Sequence, residues 1–299
     1  MKALEQQLLR LLSNQDVTFF IPPYQRNYEW GKDQCETFFN DIIKTTTCSN
    51  GGGHFFGTLL YFQTEVVFGQ PDKLILVDGQ QRITTTMLFL MALRDILVDE
   101  RQADRIHDVY LTNRNIRDNT SYKIKLKQIE TDWEAYANII LRNELTHDDK
   151  ISKVYKNYQY FFRQLTKLKR EGKIDLIDLV AKGLEKFHLV TIQLEPSEKP
   201  WENPQEIFES MNSIGKPLSL ADLVRNYLLL GQSADEQERL YKEYWLLLEK
   251  TFPDNLNHFI RDLMQFEGVV IFRKQHLQIT KIFTINLKNC LKMRVLNSY

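Results

Sequence analysis

Five consecutive residues, Asp78-Gly79-Gln80-Gln81-Arg82, set a carboxylate, two amides and a guanidinium around one glycine. A short apolar run, Leu74 to Val77, precedes them and reads as a buried strand. A helical pattern follows, with Ile83, Met87, Leu90 and Leu97 expected on one face. Strand, tight turn and helix then meet at a polar junction. The first amides of a helix lack partners within it and carry partial positive charge, which suits an anion such as a phosphate. Arg82 adds a planar cation one turn in. Asp78 would repel a bare phosphate, so beside one it would hold a divalent metal or orient a water. The plainer alternative is a helix start in which Asp78 caps amides and Arg82 makes a surface ion pair.

Two more stretches carry chemistry. Pro22-Pro23-Tyr24-Gln25-Arg26-Asn27-Tyr28-Glu29-Trp30 opens with prolines that impose an extended entry. Tyr24, Tyr28 and Trp30 could line a pocket or stack on a base, with Arg26 aimed at a phosphate, or they could latch a loop onto the core. In the stretch from Asn203 to Leu230, Asn203-Pro204 starts a helix that Gly215 ends, and Ser219 caps the next, with Asp222 completing a shortened capping box. Asp222, Arg225 and Asn226 share one polar face, leaving Leu220, Leu223, Val224 and Tyr227 for burial.

The chain has 299 residues, 39 basic and 39 acidic, with 43% hydrophobic residues, a composition typical of a globular protein with one large or two ordinary domains. No acidic residue follows Glu267, so residues 1–267 hold 33 basic against 39 acidic side chains, a net of −6. The body therefore carries no global electrostatic footprint for nucleic acid. Cys35, Cys48 and Cys290 lie too far apart for a disulfide framework or a zinc motif, and the six histidines are not spaced as metal ligands or triad members. No apolar run reaches a membrane span and the first residues lack a signal peptide's core, so a cytoplasmic location is expected.

The elements that must position these residues read as follows. Residues 2–13 pattern as an amphipathic helix and Val17 to Ile21 as a strand. A helix follows from Asp33 to Thr46 with Cys35, Phe38, Phe39, Ile42 and Ile43 inward. Ser49 to Gly53 lacks the Gly-Lys-Ser/Thr ending of a phosphate-binding loop and is read as a linker. His54 to Gln63 and Lys73 to Val77 are strands joined by a turn near Gly69-Gln70-Pro71. Beyond about residue 101, Asp132 to Arg142, Asp148 to Arg170 and Ile174 to Lys186 show helical spacing, as do Glu236 to Lys250 and Leu256 to Phe266, while His188 to Leu194 returns as a strand. Lys123, Lys125 and Lys127 alternate with Ile124 and Leu126, an extended segment with one basic face, read as a solvated strand face or a nucleic-acid contact.

Together IPPYQRNYEW (21–30), LVDGQQRITTT (76–86) and EIFESMNSIGKPLSLADLVRNYLL (206–229) resemble the DGQQR-motif family, domain of unknown function 262, which is similar to the N-terminal part of GmrSD-type restriction enzymes. The resemblance covers about residues 5–265. It implies an α+β protein: a small ParB/sulfiredoxin-like α/β domain over residues 1–100, then a mainly helical domain over 101–267 that returns a polar motif to the site. Residues 268–299 match nothing in the family and are read as a divergent, truncated or frame-shifted tail, ending before the nuclease domain of longer relatives would begin.

The resemblance further implies a nucleotide-binding module of a restriction or phage-defence protein that hydrolyses a nucleoside triphosphate with Mg2+. Asp78, Gln80, Gln81 and Arg82 would be catalytic, with Asp78 holding the metal. Tyr24, Gln25, Arg26, Gly79, Thr84, Asn212, Lys216, Arg225 and Asn226 would bind the nucleotide. DNA and a nuclease domain or subunit are the implied partners, and an oligomer is compatible with the pattern. A DNA-binding or nicking module without hydrolysis, and a structural subunit, are the alternatives.

Overall fold

In the computed structural model, described for residues 1–48, 52–64, 70–114, 116, 123–199, 201–204, 207, 219–229, 232, 234–253 and 255–266, the chain is α+β. It forms two compact units, one of residues 1–22 and 27–208, the other of residues 23–26 and 209–299. The linker read at Ser49 to Gly53, the helix ending at Gly215 and the tail lie wholly or largely outside the described residues.

The first unit is built on a six-stranded sheet: β1 (Lys2–Gln7), β2 (Val17–Phe20), β3 (His54–Gln63), β4 (Asp72–Asp78), β5 (Leu126–Lys127) and β6 (Phe187–Leu194), in the order β1-β6-β3-β4-β2-β5. β1 runs antiparallel to β6 and β3 antiparallel to β4, while β3–β6, β4–β2 and β2–β5 are parallel. β5 and β6 come from beyond residue 100, so the sheet does not close within the first hundred residues. Helices α1 (Leu8–Ser13), α2 (Lys32–Thr47), α3 (Gln80–Ile96), α4 (Glu100–Ile106), α5 (Glu130–Leu141), α6 (His147–Ile151) and α7 (Lys153–Glu171) complete the unit. Phe38 of α2 is the hub of its core, meeting Phe89 of α3, Phe161 of α7 and Phe187 of β6 edge-on, with ring centres 6.0, 6.0 and 5.8 Å away.

Several sequence expectations change here, each for a physical reason. Residues 2–7 are strand, and only 8–13 are helix. The open edge of β6 offers Lys2 to Gln7 a complete ladder, from Lys2 opposite Gln193 to Gln7 opposite His188, and this outweighs a weak local helix preference. α3 is not one-sided: all of its residues except Arg82 and Asp95 are buried. The helix expected from Asp148 to Arg170 is two helices, because Ser152 leaves helical geometry and its Oγ accepts from the Tyr155 amide, capping α7. The helix expected from Ile174 to Lys186 is a π turn, Leu179–Gly183, followed by a short 3-10 turn.

The basic face expected at residues 123–127 is also corrected. Lys125 is fully buried, and its Nζ donates to the Asn14 carbonyl. Lys127 folds its ammonium over the Trp133 ring, 3.3 Å from the centroid. Ile124, Lys125 and Leu126 are all buried in succession, so the expected alternation fails, and Lys125 and Lys127 are spent on internal contacts.

In the second unit, α8 (Leu220–Leu229), α9 (Ala234–Leu240), a π turn (Tyr241–Trp245), α10 (Leu246–Thr251) and α11 (Leu256–Phe266) surround a core that includes Tyr24, Leu229, Leu240, Tyr241, Trp245, Leu248 and Ile260. Phe252 and Phe259 stack with ring centres 4.3 Å apart. No helix among the described residues is long and apolar enough to cross a membrane.

Burial of an ammonium disfavours its charged form, and desolvation lowers the Lys125 pKa to about 8, with Asp16 opposing the change. The unfolded chain therefore binds more protons than the folded one between pH 8 and about 10.4, and folding stability should rise with pH across that window. In Lys125→Met this contribution is gone. Denaturant midpoints of both proteins from pH 7 to 10 should show wild type gaining on the variant by up to ~3 kcal/mol. A constant difference would mean that Lys125 does not titrate from a buried position.

Candidate functional site

β4 ends at Asp78, Gly79 turns the chain, and α3 begins at Gln80. Gly79 has φ 93°, the left-handed region, and a Cβ there would lie 2.6 Å from Leu59 Cδ1 and 3.1 Å from the Thr58 carbonyl. Only glycine fits both the angle and the space. The N-cap position of α3 is Gly79 itself, which has no side chain to cap the first turn.

Instead Asp78 Oδ2 accepts from Arg82 Nη2 at 3.1 Å, one helical turn on, in a pair whose side chains keep 29% and 24% of their surface exposed. The same Nη2 donates to the Thr58 carbonyl on β3. Arg82 Nε is buried and meets no hydrogen-bond partner among the described residues. β3 makes room for this side chain with a bulge at Gly57, whose φ is 116° and whose missing Cβ would sit 3.3 Å from Arg82 Cζ. The guanidinium is thus held from two sides and retains an exposed edge.

Gln81 does different work. It is buried, with Oε1 accepting from the Glu29 amide at 2.8 Å and the Trp30 amide at 3.1 Å, and Nε2 donating to the Asn27 carbonyl at 3.1 Å. One amide side chain therefore holds three backbone groups of the segment after Arg26. The Tyr28 amide donates to Asp132 Oδ2 at 2.7 Å, and the Tyr28 hydroxyl meets Thr85 Oγ1 at 2.6 Å and Asn157 Nδ2 at 3.1 Å. Burial holds the Tyr28 phenol well above its ordinary pKa. Tyr28 is a core latch, with no face left to stack on a base. Gln80 is buried, and Thr84 is a core residue whose hydroxyl accepts from Gln128 Nε2 at 2.8 Å. Cys35, also read as core, is fully buried with its thiol pushed up to about 12 by desolvation.

The other sequence-selected residues belong to the second unit. Tyr24 and Gln25 are buried and Arg26 is half-buried. Ser219 and Asp222 form the expected box: Ser219 Oγ accepts from the Asp222 amide at 3.1 Å, and Asp222 Oδ2 accepts from the Ser219 amide at 3.0 Å. The face they begin meets expectation only in part: Leu220 and Val224 pack against the unit's core. Arg225 and Asn226 are 2% and 1% exposed, whereas Leu223 and Tyr227 are 37% and 38% exposed. The reason is ionic. Arg225 Nη1 donates to Glu249 Oε1 at 2.7 Å, Nη2 donates to Asp222 Oδ1 at 2.7 Å, and Nε donates to the Tyr24 carbonyl at 3.3 Å. Two carboxylates so neutralise it that it has no charge to spare for a phosphate. Asn212 and Lys216 lie outside the described residues.

The junction thus joins Asp78, Gly79 and Arg82 with Gly57 and Thr58, two residues that sequence reading passed over. A glycine inside a long strand pattern is the signal that marks such a bulge. Among the described residues no three His, Cys, Asp or Glu side chains gather as a metal site.

A family model described as the GmrSD restriction endonuclease N-terminal domain matches residues 8–229, most of the chain. No curated protein matches it. The chain belongs to the GmrSD N-terminal-domain family, which indicates a protein of restriction and phage defence.

If Gln81 is a clamp, Gln81→Ala should orphan two amides and a carbonyl and cost ~2–4 kcal/mol of unfolding free energy. Chemical denaturation gives the value directly. A loss below about 0.5 kcal/mol, within the range of an ordinary surface change, would return Gln81 to the list of residues free to meet a ligand.

Proposed function

We propose that the β4–α3 junction of this family member binds the phosphates of a nucleoside triphosphate and that the domain hydrolyses it in the service of DNA restriction. The observation that carries this reading is the half-exposed Asp78–Arg82 pair beside an uncapped helix start. A 17-residue helix with no side-chain cap presents positive partial charge where β4 delivers a carboxylate. Arg82 is anchored by Thr58 and can trade Asp78 for a phosphate oxygen without losing its place.

Asp78, so released, is the carboxylate for Mg2+. One carboxylate is a small share of an octahedral shell, which agrees with an ion that takes its other ligands from phosphates and water. The residues fit magnesium carried in by the nucleotide and do not fit a free resident ion. Bound, magnesium would be held by Asp78 and would supply positive charge that offsets that of the phosphates. The chain's own part is positioning and neutralisation, which dominate phosphoryl transfer. Gln80, buried next to Asp78 across the turn, is the amide we assign to orienting the attacking water. Gln81 acts by holding residues 27–30.

A base-stacking platform for single-stranded DNA has less support, because Tyr24 and Tyr28 are buried. DNA enters this reading as the object of the system, cut by a nuclease domain or subunit working with this one.

The test is phosphate release from ATP and GTP, with and without Mg2+ and DNA. Asp78→Asn and Arg82→Ala should each cut release at least a hundredfold while the unfolding midpoint stays within about 1 kcal/mol of wild type. Calorimetric titration with Mg2+ alone should give no binding, and with a non-hydrolysable triphosphate it should. Folded variants as active as wild type would remove the site from this junction.

A further inference from the structure

Arg225 lies near the end of the family match, at residue 229, and of its two carboxylate partners Asp222 lies inside the match and Glu249 beyond it. Glu249 Oε1 accepts from Arg225 Nη1 at 2.7 Å and from Trp245 Nε1 at 2.9 Å, and Glu249 Oε2 accepts from the Tyr241 hydroxyl at 2.8 Å. Residues 241, 245 and 249 follow one another at a spacing of four across the π turn and α10, so one stretch of helix supplies the carboxylate and two of its three donors. The Arg225 guanidinium also stands over the Trp245 ring, 5.9 Å from its centre. Arg225, Tyr241 and Trp245 are each 3% exposed or less, and both carboxylate oxygens of Glu249 are taken. A buried charge of this kind persists when every donor has an acceptor, and removing one partner leaves the other stranded.

The same guanidinium donates through Nη2 to Asp222 Oδ1 at 2.7 Å and through Nε to the Tyr24 carbonyl at 3.3 Å. Tyr24 belongs to the four-residue piece, 23–26, that the chain's first part contributes to the second unit. Its ring sits in that unit's core with Leu229, Tyr241 and Trp245. The backbone leading into Arg26 is therefore held by an arginine that is itself held by Glu249.

We propose that Glu249 is a positioning residue: through Arg225 it fixes the conformation of Pro23-Tyr24-Gln25-Arg26, so the working domain extends at least to residue 249. Asp222 and Arg225 then act on any ligand only through this segment, and the polar residues of α8 are internal scaffolding for the Tyr-Gln-Arg motif. The inference stands on the second unit alone and does not require nucleotide hydrolysis.

Hydrogen exchange read by mass spectrometry on the full chain tests it. Glu249→Gln keeps the shape and an acceptor but removes the charge, and Arg225→Lys keeps a cation that cannot serve two carboxylates and a carbonyl together. In both variants the amides of residues 24–26 should exchange at least tenfold faster, while β3 and β4 keep wild-type protection. Glu249→Asp, which keeps the charge, should recover part of the protection. Unchanged exchange at 24–26 would overturn the proposal. So would equal loosening of β3 and β4, since that would mark a loss of general stability. Parallel phosphate-release measurements separate the two readings: faster exchange in a protein that never hydrolyses nucleotide leaves the positioning role standing and removes the hydrolysis.

Discussion

Burying a helix that begins with two glutamines and an arginine sets a cost on every polar group in its first turns that goes without a partner. α3 is enclosed on almost all sides, and the solution to that constraint organises the first unit. Gln81 spends its amide on residues 27–30, Thr84 meets Gln128, and Thr85 meets Tyr28. At the far end Arg94 donates to the Ile139 and Ile140 carbonyls and pairs with Asp95. An unpaired polar group here would cost about as much as several buried methylenes contribute, so the helix dictates where its neighbours lie. Arg82 and Asp95 alone reach beyond the buried surface, and only Arg82 does so beside a carboxylate and a helix start.

The same requirement turns a motif into two kinds of residue. Asp-Gly-Gln-Gln-Arg looks uniform as a string, but its members divide by depth. Gly79 fits because nothing larger does, Gln81 binds backbone, and Asp78 and Arg82 face each other at the surface. In the second unit the division goes further. Arg225 is drawn inward between Asp222 and Glu249, and apolar Leu223 and Tyr227 are left at the surface. A polar helix face is a solvated face only when no buried counter-charge competes for it.

This division marks what could be read from the sequence. The strand, turn and helix around Gly79 were legible because a β-branched run, a glycine and a helical repeat are local signals. The box at Ser219 and Asp222 and the inward faces of α2 were legible for the same reason. Pairings were not. That Lys2 to Gln7 form a strand depends on β6, some 180 residues away in the chain. That Lys125 is buried depends on the Asn14 carbonyl, and that Arg225 is buried depends on Glu249. Each is a contact between segments whose separate patterns hold no trace of it. For the candidate site, residue types were legible and their division into clamp, pair and scaffold was not.

The family match adds a constraint of its own. A stretch ending at residue 229 includes Arg225 but neither Tyr241, Trp245 nor Glu249. Without those three, the guanidinium would face a core with one carboxylate fewer, tied only to Asp222 and the Tyr24 carbonyl. A buried arginine so stripped would either draw water inward or pull α8 outward, and residues 23–26 would lose the bond that fixes them. The physical unit that holds the Tyr-Gln-Arg segment is thus longer than the stretch over which sequence likeness is measurable, because an acid, a phenol and an indole spaced four apart on a helix are too common a pattern to mark a family by themselves.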